Sequence, residues 1–561
     1  MRTPSDKVNL FKTWALPLVL VLFGLILYGG DFLNQDAFYY DSDGITMDGI
    51  YLLDFLKELP ITNIYGYTTR YYAQYPSLTI GVREPFFPLI EAIFYSIFGI
   101  NISTAKLAVL AFAALGIFFF YRLSLLLYGS KISTFATLLF ITTPFVFRFA
   151  KVPMLEIPAM TMTLVSIYYF YKYIEFEDKK SLFLFFPVFA LTLWTKRITG
   201  FLVIFFIIYP ILRKKWRLLV KKEAIIGYLF LFITVIPLIV ITLWLGGMNI
   251  DQSIGRSNPE LAVKIFGLHS ASRISFENLS YYLKIIYNEN LALPVIILSL
   301  AGLFLAIVKK DKRIVLPLLW IGAVYFTSTY FIAKTNRYTI YLIPPFCLLA
   351  ATLLESMVFP KKQLKYLILF LLSGTIIFQV FLIQHIKPFR ASGFREAAKY
   401  VTDNPKGYTI FLGTVNRGSF IFWVRKFDKD RRFIVLRGDK LLTSSAAFHK
   451  YKLKVYVNSA EQIYEIFKKY GSTYIVVLSK DTSEIPIFSV LLELLKTDKF
   501  KLVKEIPIDS DFGFLKGQKI LIYERLEPAY LPKGELILPL PIVDKTIRIP
   551  VEELVKNRKS I

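Results

Sequence analysis

Long apolar runs separated by short basic loops make up most of the chain before residue 385. The first run covers 13–28, after a polar start. Further runs lie at 104–122, 131–149, 157–173, 181–195, 198–212, 224–245, 291–308, 314–333, 339–358 and 365–384. A helix that crosses a bilayer needs about 20 apolar residues, so these runs predict transmembrane helices. The run 85–98 is shorter, at roughly 14 residues, and is predicted to lie along the membrane interface.

Basic loops set the orientation of the predicted helices. The densest clusters of lysine and arginine lie at 213–222, 309–313 and 361–365. Such loops normally face the cytoplasm. With 85–98 at the interface, about eleven spans result, or at most about thirteen, and the N-terminus is cytoplasmic. An odd number of spans places the C-terminal region, together with the loop 31–84, on the outer face.

The pattern of the chain changes after residue 385. Short apolar segments typical of buried strands occur at 408–413, 432–437, 474–478 and 519–523. Amphipathic helices are predicted between them, at 460–470 and 487–495, and this alternation indicates a small α/β domain. The predicted division is a transmembrane domain 1–385 with the outer loop 31–84, an extracytoplasmic α/β domain 386–527 and a proline-rich tail 528–561.

Composition excludes several classes of protein. A hydrophobic fraction of 55% with a mean hydropathy of +0.52 is too high for a soluble globular protein. The net charge of +26 is distributed over short loops between apolar runs, which argues against a nucleic-acid partner. Cys347 is the single cysteine, and the histidines are His269, His385 and His449. A disulfide within the chain, a thiolate or histidine metal site and a Ser-His-Asp triad are therefore disfavoured.

Carboxylates near the outer ends of the predicted spans are candidates for chemistry. Asp41 and Asp43 lie two residues apart in the outer loop, where they can supply a general base or hold a divalent cation such as Mg²⁺ or Mn²⁺. They can equally cap the predicted helix 45–56. Glu156 precedes the span 157–173. There its negative charge either stabilises the N-terminal end of the helix through the helix dipole or takes part in function.

Basic residues on the same face are candidates for a phosphate site. Lys196 and Arg197 lie in a tight connection between two spans, and Arg337, followed by Tyr338, opens another span. Their cations can bind a phosphate carried by a lipid, or they can simply extend to the polar interface. Weaker candidates of the same kind are Arg83 and Arg148.

Taken in chain order, these acidic and basic residues and their neighbours resemble the motifs of the GT-C glycosyltransferases. The relevant group contains the protein O-mannosyltransferases and the aminoarabinose transferase of lipid A. The resemblance covers roughly residues 1–385, with the α/β domain outside it. It rests on Asp41-Ser42-Asp43-Gly44, Arg83-Glu84-Pro85 before a helix ending in Phe98-Gly99, Thr143-Pro144 with Arg148, Glu156-Ile157-Pro158, Leu193-Trp194-Thr195-Lys196, and Asn336-Arg337-Tyr338 before Ile343-Pro344. Glu84 stands where the family has proline, and Glu156 where it has aspartate.

The resemblance implies an integral protein of a prokaryotic plasma membrane. It would transfer a sugar, with inversion, from a polyprenyl-phosphate donor to a hydroxyl or other nucleophile of a lipid, glycan or protein on the outer face. Asp41 or Asp43 would be the base, and Glu156 would orient the acceptor or the base. The implied contacts to the donor phosphate are Lys196, Arg197, Arg337 and Tyr338, and those to substrate are Tyr40, Arg83, Glu84 and Arg148. No cofactor is implied for the mannosyltransferase branch, and a divalent cation at Asp41 and Asp43 is the alternative.

Three other classes remain open as alternatives. An oligosaccharyltransferase or O-antigen ligase would move a whole glycan, but the C-terminal region lacks the Trp-Trp-Asp-type motif expected of an oligosaccharyltransferase. A transporter or flippase of lipid-linked sugars would have polar groups near mid-span, whereas here they gather at the outer ends. A non-catalytic scaffold would tolerate alanine at Asp41, Asp43 and Glu156. A Gly-rich phosphate loop, G-x-S-x-G and H-E-x-x-H do not occur in the sequence, which disfavours ATP-driven pumps and soluble-type hydrolases.

Overall fold

The computed structural model describes most of the chain. The described residues are 14–36, 41–79, 81–245, 275–331, 334–354, 362–387, 389–413, 417–446, 451–481, 483–528, 531–540 and 545–555, with the single positions 250, 253 and 543. The predictions for Tyr40 and for the polar N-terminus fall outside these residues.

The part before residue 385 is helical, and its apolar helices closely follow the predicted runs. The helices are α1 (Leu16–Gly29), α2 (Ser42–Glu58), α3 (Ile64–Gln74), α4 (Phe86–Phe98), α5 (Ile102–Tyr128), α6 (Ser130–Ile141), α7 (Pro144–Ala150), α8 (Glu156–Phe176), α9 (Lys179–Thr195), α10 (Phe201–Leu212), α11 (Lys222–Leu245), α12 (Phe276–Ile285), α13 (Leu293–Val308), α14 (Val315–Tyr330), α15 (Ile343–Ala351) and α16 (Lys362–Gln384). Short 3₁₀ turns at Arg197–Gly200 and Asn336–Leu342 lead into α10 and α15. Local signals mark several ends: the Asp178 side chain caps α9, and Gly129, with φ of +81°, ends α5.

Helix length and composition identify some of the predicted spans directly. Within the described ranges, four helical segments are long and apolar enough to cross a membrane: α5, α11, Asn336–Leu354 and Tyr366–Gln384. A fifth is added if the bent pair α6–α7 is one span. The apolar helices α1, α4 and α13, together with the segment Arg197–Leu212, are shorter. The count of about eleven spans stays a prediction, because it depends on these shorter helices as well.

The predicted span 131–149 is divided into two helices. α6 and α7 meet at a bend of 62°. Pro144 has no N–H to continue the helical hydrogen bonds, and the hydroxyls of Thr142 and Thr143 each donate to a carbonyl one turn earlier, at 2.8 Å. The apolar pattern predicts a continuous span here, and the Thr-Thr-Pro sequence explains why the helix breaks.

The outer loop folds into helices, and a further short helix follows it. The predicted helix 45–56 is confirmed as α2, which begins earlier, so that Asp43 belongs to its first turn. α4 has 13 residues and is too short to cross a bilayer. One of its faces is buried, and the other exposes the apolar side chains of Leu89, Ile93 and Ile97. This exposed stripe agrees with an interfacial position for α4.

The C-terminal region contains a mixed five-stranded sheet flanked by helices, and the small predicted α/β domain is present. The strands are β1 (Thr409–Leu412), β2 (Ile434–Arg437), β3 (Thr443–Ala446), β4 (Tyr451–Val455), β5 (Ser472–Leu478), β6 (Phe500–Pro507), β7 (Lys519–Arg525), β8 (Glu535–Leu540) and β9 (Lys545–Pro550). The helices are α17 (Phe394–Asp403), α18 (Arg417–Phe427), α19 (Gly438–Leu441), α20 (Ala460–Lys469) and α21 (Pro486–Leu494). The sheet order is β2-β1-β5-β7-β6, in which β1 is parallel to β2 and β5, whereas β7 is antiparallel to β5 and β6.

The outer loop and the C-terminal region share a hydrophobic core. Buried side chains of α2, α3 and α4, among them Met47, Tyr71 and Tyr95, belong to the same cluster as Phe394 of α17 and Phe420 of α18. The hairpin β8–β9 contributes to a second cluster, on the other face of the sheet. The tail, for which the sequence pattern predicts no structure, therefore packs on the domain. The domain boundaries at 385 and 527 stay predictions.

Candidate active site

Asp41 lies between two arginines at the start of α2. Its Oδ1 accepts a hydrogen bond from Arg83 Nη2 at 2.6 Å, and its Oδ2 accepts one from Arg337 Nη1 at 2.6 Å. Arg83 also donates to the main-chain carbonyl of Asp41 at 2.9 Å. Arg83 precedes α4, and Arg337 lies in the 3₁₀ turn before α15. The ion pairs therefore join three distant parts of the chain.

Glu156 and Lys196 complete this group of charges. Lys196 Nζ donates to Glu156 Oε1 at 2.7 Å, and Arg337 Nη1 lies 3.5 Å from the same oxygen. Glu156 is fully buried, and its Oε2 has no hydrogen-bond partner among the described residues. We call this group the outer ion cluster, after the membrane face on which the sequence predicts it to lie. Its members are Asp41, Arg83, Glu156, Lys196 and Arg337.

Glu84 and Arg197 form a separate ion pair. Arg197 Nε donates to Glu84 Oε1, and the main-chain N–H of Arg197 reaches the same oxygen at 3.2 Å. Arg197 also donates to Thr242 Oγ1 at 2.9 Å and to the Val82 carbonyl. These contacts tie the segment before α4 to the α9–α10 turn and to α11. The roles predicted for Arg197 with phosphate and for Glu84 with substrate stay predictions.

Arg148 lies apart from the outer ion cluster, whereas the Tyr338 hydroxyl is close enough to interact with the charges of Arg337 and Glu156. The Arg148 guanidinium lies over the ring of Phe389, 5.2 Å from its centroid, in the link to the C-terminal domain. Tyr338 follows Arg337, and its ring packs edge-on against Phe331 with the centroids 6.3 Å apart. The roles assigned to these residues stay predictions.

Asp43 contacts the C-terminal domain. Its Oδ1 accepts a hydrogen bond from Ser419 Oγ of α18 at 2.8 Å. A small pocket lies here, and its lining includes Asp43 and Ser419, the polar side chains of Gln35 and Asp36, and the ring of Trp423. The two acids of the Asp-Ser-Asp motif therefore have different partners: arginines for Asp41, and a serine of the C-terminal domain for Asp43.

The electrostatic surroundings of the two aspartates differ as well. Burial alone would raise the pKa of Asp41, but the guanidinium groups of Arg83 and Arg337 hold that pKa well below its usual range. Burial raises the pKa of Asp43 to about 7, although the hydrogen bond from Ser419 opposes this rise. In this arrangement Asp41 is ionised throughout the physiological range, and the charge of Asp43 changes near neutral pH.

Comparisons with known proteins agree with this architecture. Residues 82–241 match the family model described as dolichyl-phosphate-mannose-protein mannosyltransferase. No curated protein sequence matches the chain. The crystal structure of ArnT from Cupriavidus metallidurans bound to undecaprenyl phosphate matches 94% of this chain and 100% of its own, with a TM-score of 0.56 and 11% identity. The chain has the GT-C fold.

Two other GT-C glycosyltransferases are similar in structure to this GT-C protein. The oligosaccharyltransferase of Archaeoglobus fulgidus, tethered with an acceptor peptide, matches over 83% of this chain and 69% of its own, with a TM-score of 0.53 and 11% identity. The arabinofuranosyltransferase AftD from Mycobacteria matches over 93% of this chain but 40% of its own, with a TM-score of 0.52 and 12% identity. The resemblance to GT-C enzymes is therefore confirmed.

The side chains of this GT-C protein do not form a ready cation site at the Asp-Ser-Asp motif. Both carboxylate oxygens of Asp41 accept from arginines, and Asp43 bonds to Ser419. Among the residues that the structure describes, no three His, Cys, Asp or Glu side chains come together in a way that could hold a metal ion. The arrangement therefore does not fit a divalent cation held between Asp41 and Asp43.

A buried ion pair fastens the outer loop of this GT-C protein to its C-terminal domain. Arg425 Nη2 of α18 donates to both oxygens of Asp54 in α2, at 2.8 and 2.6 Å, and the Tyr71 hydroxyl donates to Asp54 at 2.7 Å. Sequence reasoning missed both this pair and Ser419. The partners are 371 and 376 residues apart, and no local motif connects them.

Proposed function

We propose that this protein transfers a sugar from a polyprenyl-phosphate donor to a hydroxyl group of an acceptor on the outer membrane face, inverting the anomeric carbon. The observation that carries the proposal is the outer ion cluster. In it a carboxylate contacts cations directly. With the predicted orientation, these charges lie at the outer ends of apolar helices. There, a lipid-borne phosphate can enter from the bilayer while the acceptor approaches from water.

The charge balance of the outer ion cluster suits a single phosphodiester. The cations of Arg83, Lys196 and Arg337 outnumber the carboxylates of Asp41 and Glu156 by one. A sugar linked to a polyprenyl chain through one phosphate carries one negative charge, which would neutralise this excess. As the bond to the sugar breaks, a second negative charge develops on the phosphate, and Lys196 and Arg337 stabilise it.

Asp41 is the proposed general base. Donor binding would draw Arg83 and Arg337 toward the phosphate, and the phosphate would add a negative charge beside Asp41. Both effects raise the pKa of Asp41 from its depressed value and make the carboxylate a stronger base when the donor is present. Asp41 then takes the acceptor's proton while the acceptor oxygen bonds to the anomeric carbon. The bond from that carbon to the phosphate oxygen breaks, and the polyprenyl phosphate leaves.

Glu156 is proposed to orient the substrates. Its Oε1 is held by Lys196, whereas its buried Oε2 has no hydrogen-bond partner among the described residues. A buried carboxylate oxygen without a donor is costly, and a hydroxyl group of the donor sugar or of the acceptor would satisfy it. The Oε2 atom of Glu156 therefore supports a role for this residue in binding a substrate hydroxyl, in addition to its ion pair with Lys196.

The experiment that tests the proposal is sugar transfer by the purified protein in lipid nanodiscs. A panel of labelled polyprenyl-phosphate sugars would serve as donors, with a membrane extract as acceptor. The expected result is a labelled product of inverted configuration for at least one donor. A matched variant, Asp403→Asn, changes an exposed acid of the C-terminal domain and should transfer like the wild type.

A transporter of the same lipid-linked sugars is the alternative function. It would move the labelled donor between leaflets of a vesicle without releasing polyprenyl phosphate. Leaflet exchange with no cleavage of any donor in the panel would therefore replace the proposed reaction with transport.

A further inference from the structure

We infer that Ser419 and Gly418 of the C-terminal domain are positioning residues for Asp43, so that the outer domain forms part of the acceptor side of the active site. The inference rests on the proposed function, since it assigns the second acid of the motif to the acceptor. It gives the C-terminal domain a role in the reaction beyond covering the membrane part.

The contact between α18 and Asp43 has a polar and a steric part. Ser419 Oγ donates to Asp43 Oδ1 at 2.8 Å. A Cβ atom added to Gly418 would lie 2.2 Å from Asp43 Cβ and 2.9 Å from both Asp43 Oδ2 and Ser77 Oγ. Gly418 is therefore needed because α18 approaches the start of α2 too closely for any side chain. Together the two residues fix both the place of the carboxyl group and its orientation.

The two helices in this contact are fixed to one another further along. Arg425 of α18 bonds through its guanidinium to both oxygens of Asp54 in α2, and all of these groups are buried. Ser419 and Arg425 lie on one helix, and Asp43 and Asp54 lie on another. Because the helices are joined at both ends, the Ser419–Asp43 distance does not depend on a mobile loop.

The small pocket beside this contact has room for about one water-sized polar group next to Asp43, which suits a single acceptor hydroxyl. Its lining combines the polar side chains of Gln35 and Asp36 with the ring of Trp423, next to the carboxyl group of Asp43. Asp43 is two residues from Asp41, the proposed base. The negative charge of Asp41 also raises the pKa of Asp43, so the two carboxyl groups are close enough to interact. An acceptor held by Asp43 would thus lie next to Asp41, while the donor phosphate occupies the arginine side.

The steric part is tested with Gly418→Ala in the full-length protein. The added methyl group displaces Asp43, whereas alanine is otherwise favoured over glycine in a helix. The expected result is an acceptor kcat/KM that falls about tenfold to hundredfold, with an unchanged KM for the donor, because misplacement of this order has that effect. The matched control is Gly513→Ala in the same domain, where the added Cβ meets nothing within 4 Å and transfer should be unchanged.

The polar part is tested with Ser419→Ala and Ser419→Thr. Among the described residues, the other charged or titratable groups that act on Asp43 or line its pocket are Asp41, Arg83 and Asp36, and none of them is altered. If Asp43 acts as a carboxylate, the acceptor kcat/KM of the wild type falls as the pH drops through about 7. Ser419→Ala removes the hydrogen bond that favours the charged form, so this fall moves to higher pH. Ser419→Thr keeps the hydroxyl and the wild-type profile, and Ser489→Ala, at an exposed serine, serves as the control.

Failure of this inference is distinguishable from failure of the proposed function. Absence of transfer by the wild type overturns the proposed function. The inference is overturned if the wild type transfers sugar but Gly418→Ala and Ser419→Ala keep its acceptor kcat/KM and its pH profile. Hydrogen exchange of residues 41–50 in Gly418→Ala gives a readout without substrate, and exchange identical to that of the wild type counts against displacement of Asp43. If Gly418→Ala does not fold, Ser419→Ala alone decides: a lower acceptor kcat/KM with a shifted pH profile supports the inference.

Discussion

At the scale of single residues, the candidate active site is formed by charges that meet from distant parts of the chain. Asp41 and Arg337 are separated by 296 residues and share a hydrogen bond of 2.6 Å. The sequence predicts that Asp41, Glu156, Lys196 and Arg337 face the same side of the membrane, by loop charge and by motif order. It cannot predict that Arg197 is paired with Glu84, because side-chain pairing depends on packing between helices, which the apolar pattern leaves undetermined.

The first residue-scale prediction concerns the phosphate site. Arg337→Gln removes a cation that is placed to bind the donor, and a hydrogen bond to a charged group contributes about 1.5–3 kcal/mol. We expect the Kd for polyprenyl phosphate to rise about tenfold to hundredfold, as measured by binding to the protein in nanodiscs. Arg548→Gln makes the same change in an exposed pair of the tail hairpin and should leave the Kd unchanged. Equal affinity of wild type and Arg337→Gln would remove Arg337 from the phosphate site.

At the scale of helices and strands, the sequence predicts the regular apolar elements well and the irregular ones poorly. The four strands that are rich in β-branched residues form the sheet with β6, because a continuous apolar run is a local signal. The break between α6 and α7 and the hairpin β8–β9 depend on prolines and on packing partners. The docking of α18 on α2 is a tertiary contact, for which the local sequence carries no signal.

A second prediction tests the ion pair that joins α18 to α2. Arg425→Met leaves the carboxylate of Asp54 buried without its guanidinium partner, and breaking a buried pair in this way costs about 3–5 kcal/mol. Thermal unfolding in detergent should show a clearly lowered midpoint. The control Lys399→Met removes an exposed pair on α17, and its effect should be below about 1 kcal/mol. A midpoint equal to that of the wild type for Arg425→Met would mean that this pair does not hold the loop.

A third prediction concerns close helix packing inside the membrane part. A Cβ on Gly302 of α13 would lie 2.0 Å from the main-chain carbonyl oxygen of Leu349 in α15, which cannot rotate away. Gly302→Ala should therefore destabilise the protein by about 1–3 kcal/mol, in the range of other overpacked sites. The control is Gly322→Ala in α14, because an added Cβ there meets nothing within 4 Å. The measurement is again thermal unfolding in detergent, and equal midpoints for the two variants would contradict the close approach of α13 and α15.

At the scale of the whole molecule, the outer loop and the C-terminal domain are packed directly against each other. Their shared core and the Asp54–Arg425 pair support the proposal that the domain forms part of the site. The sequence predicts the two parts and their common side of the membrane. It does not predict that they pack together, because the contacts connect segments that are hundreds of residues apart.

The fourth prediction tests the orientation on which this arrangement depends. Cys347 is fully buried, so a membrane-impermeant maleimide should not label the wild type. Asp511→Cys places an exposed thiol on the C-terminal domain, and Lys310→Cys places one in a predicted cytoplasmic loop. In intact cells we expect the maleimide to label Asp511→Cys but not Lys310→Cys. Lys310→Cys should be labelled only after the membrane is permeabilised. The reverse pattern, or labelling of both variants in intact cells, would contradict the predicted orientation.

The most direct test of the central claim is the turnover of Asp41→Asn beside the wild type, with the donor found in the panel. Asparagine keeps the size of the side chain but cannot accept the proton, so kcat should fall about 10²- to 10⁴-fold. The same change frees Arg83 and Arg337 from their carboxylate, so polyprenyl phosphate should bind at least as tightly as it binds the wild type. A lost kcat with retained binding is the result that we predict. An unchanged kcat would show that Asp41 is not the base and that the proposed chemistry lies elsewhere in the molecule.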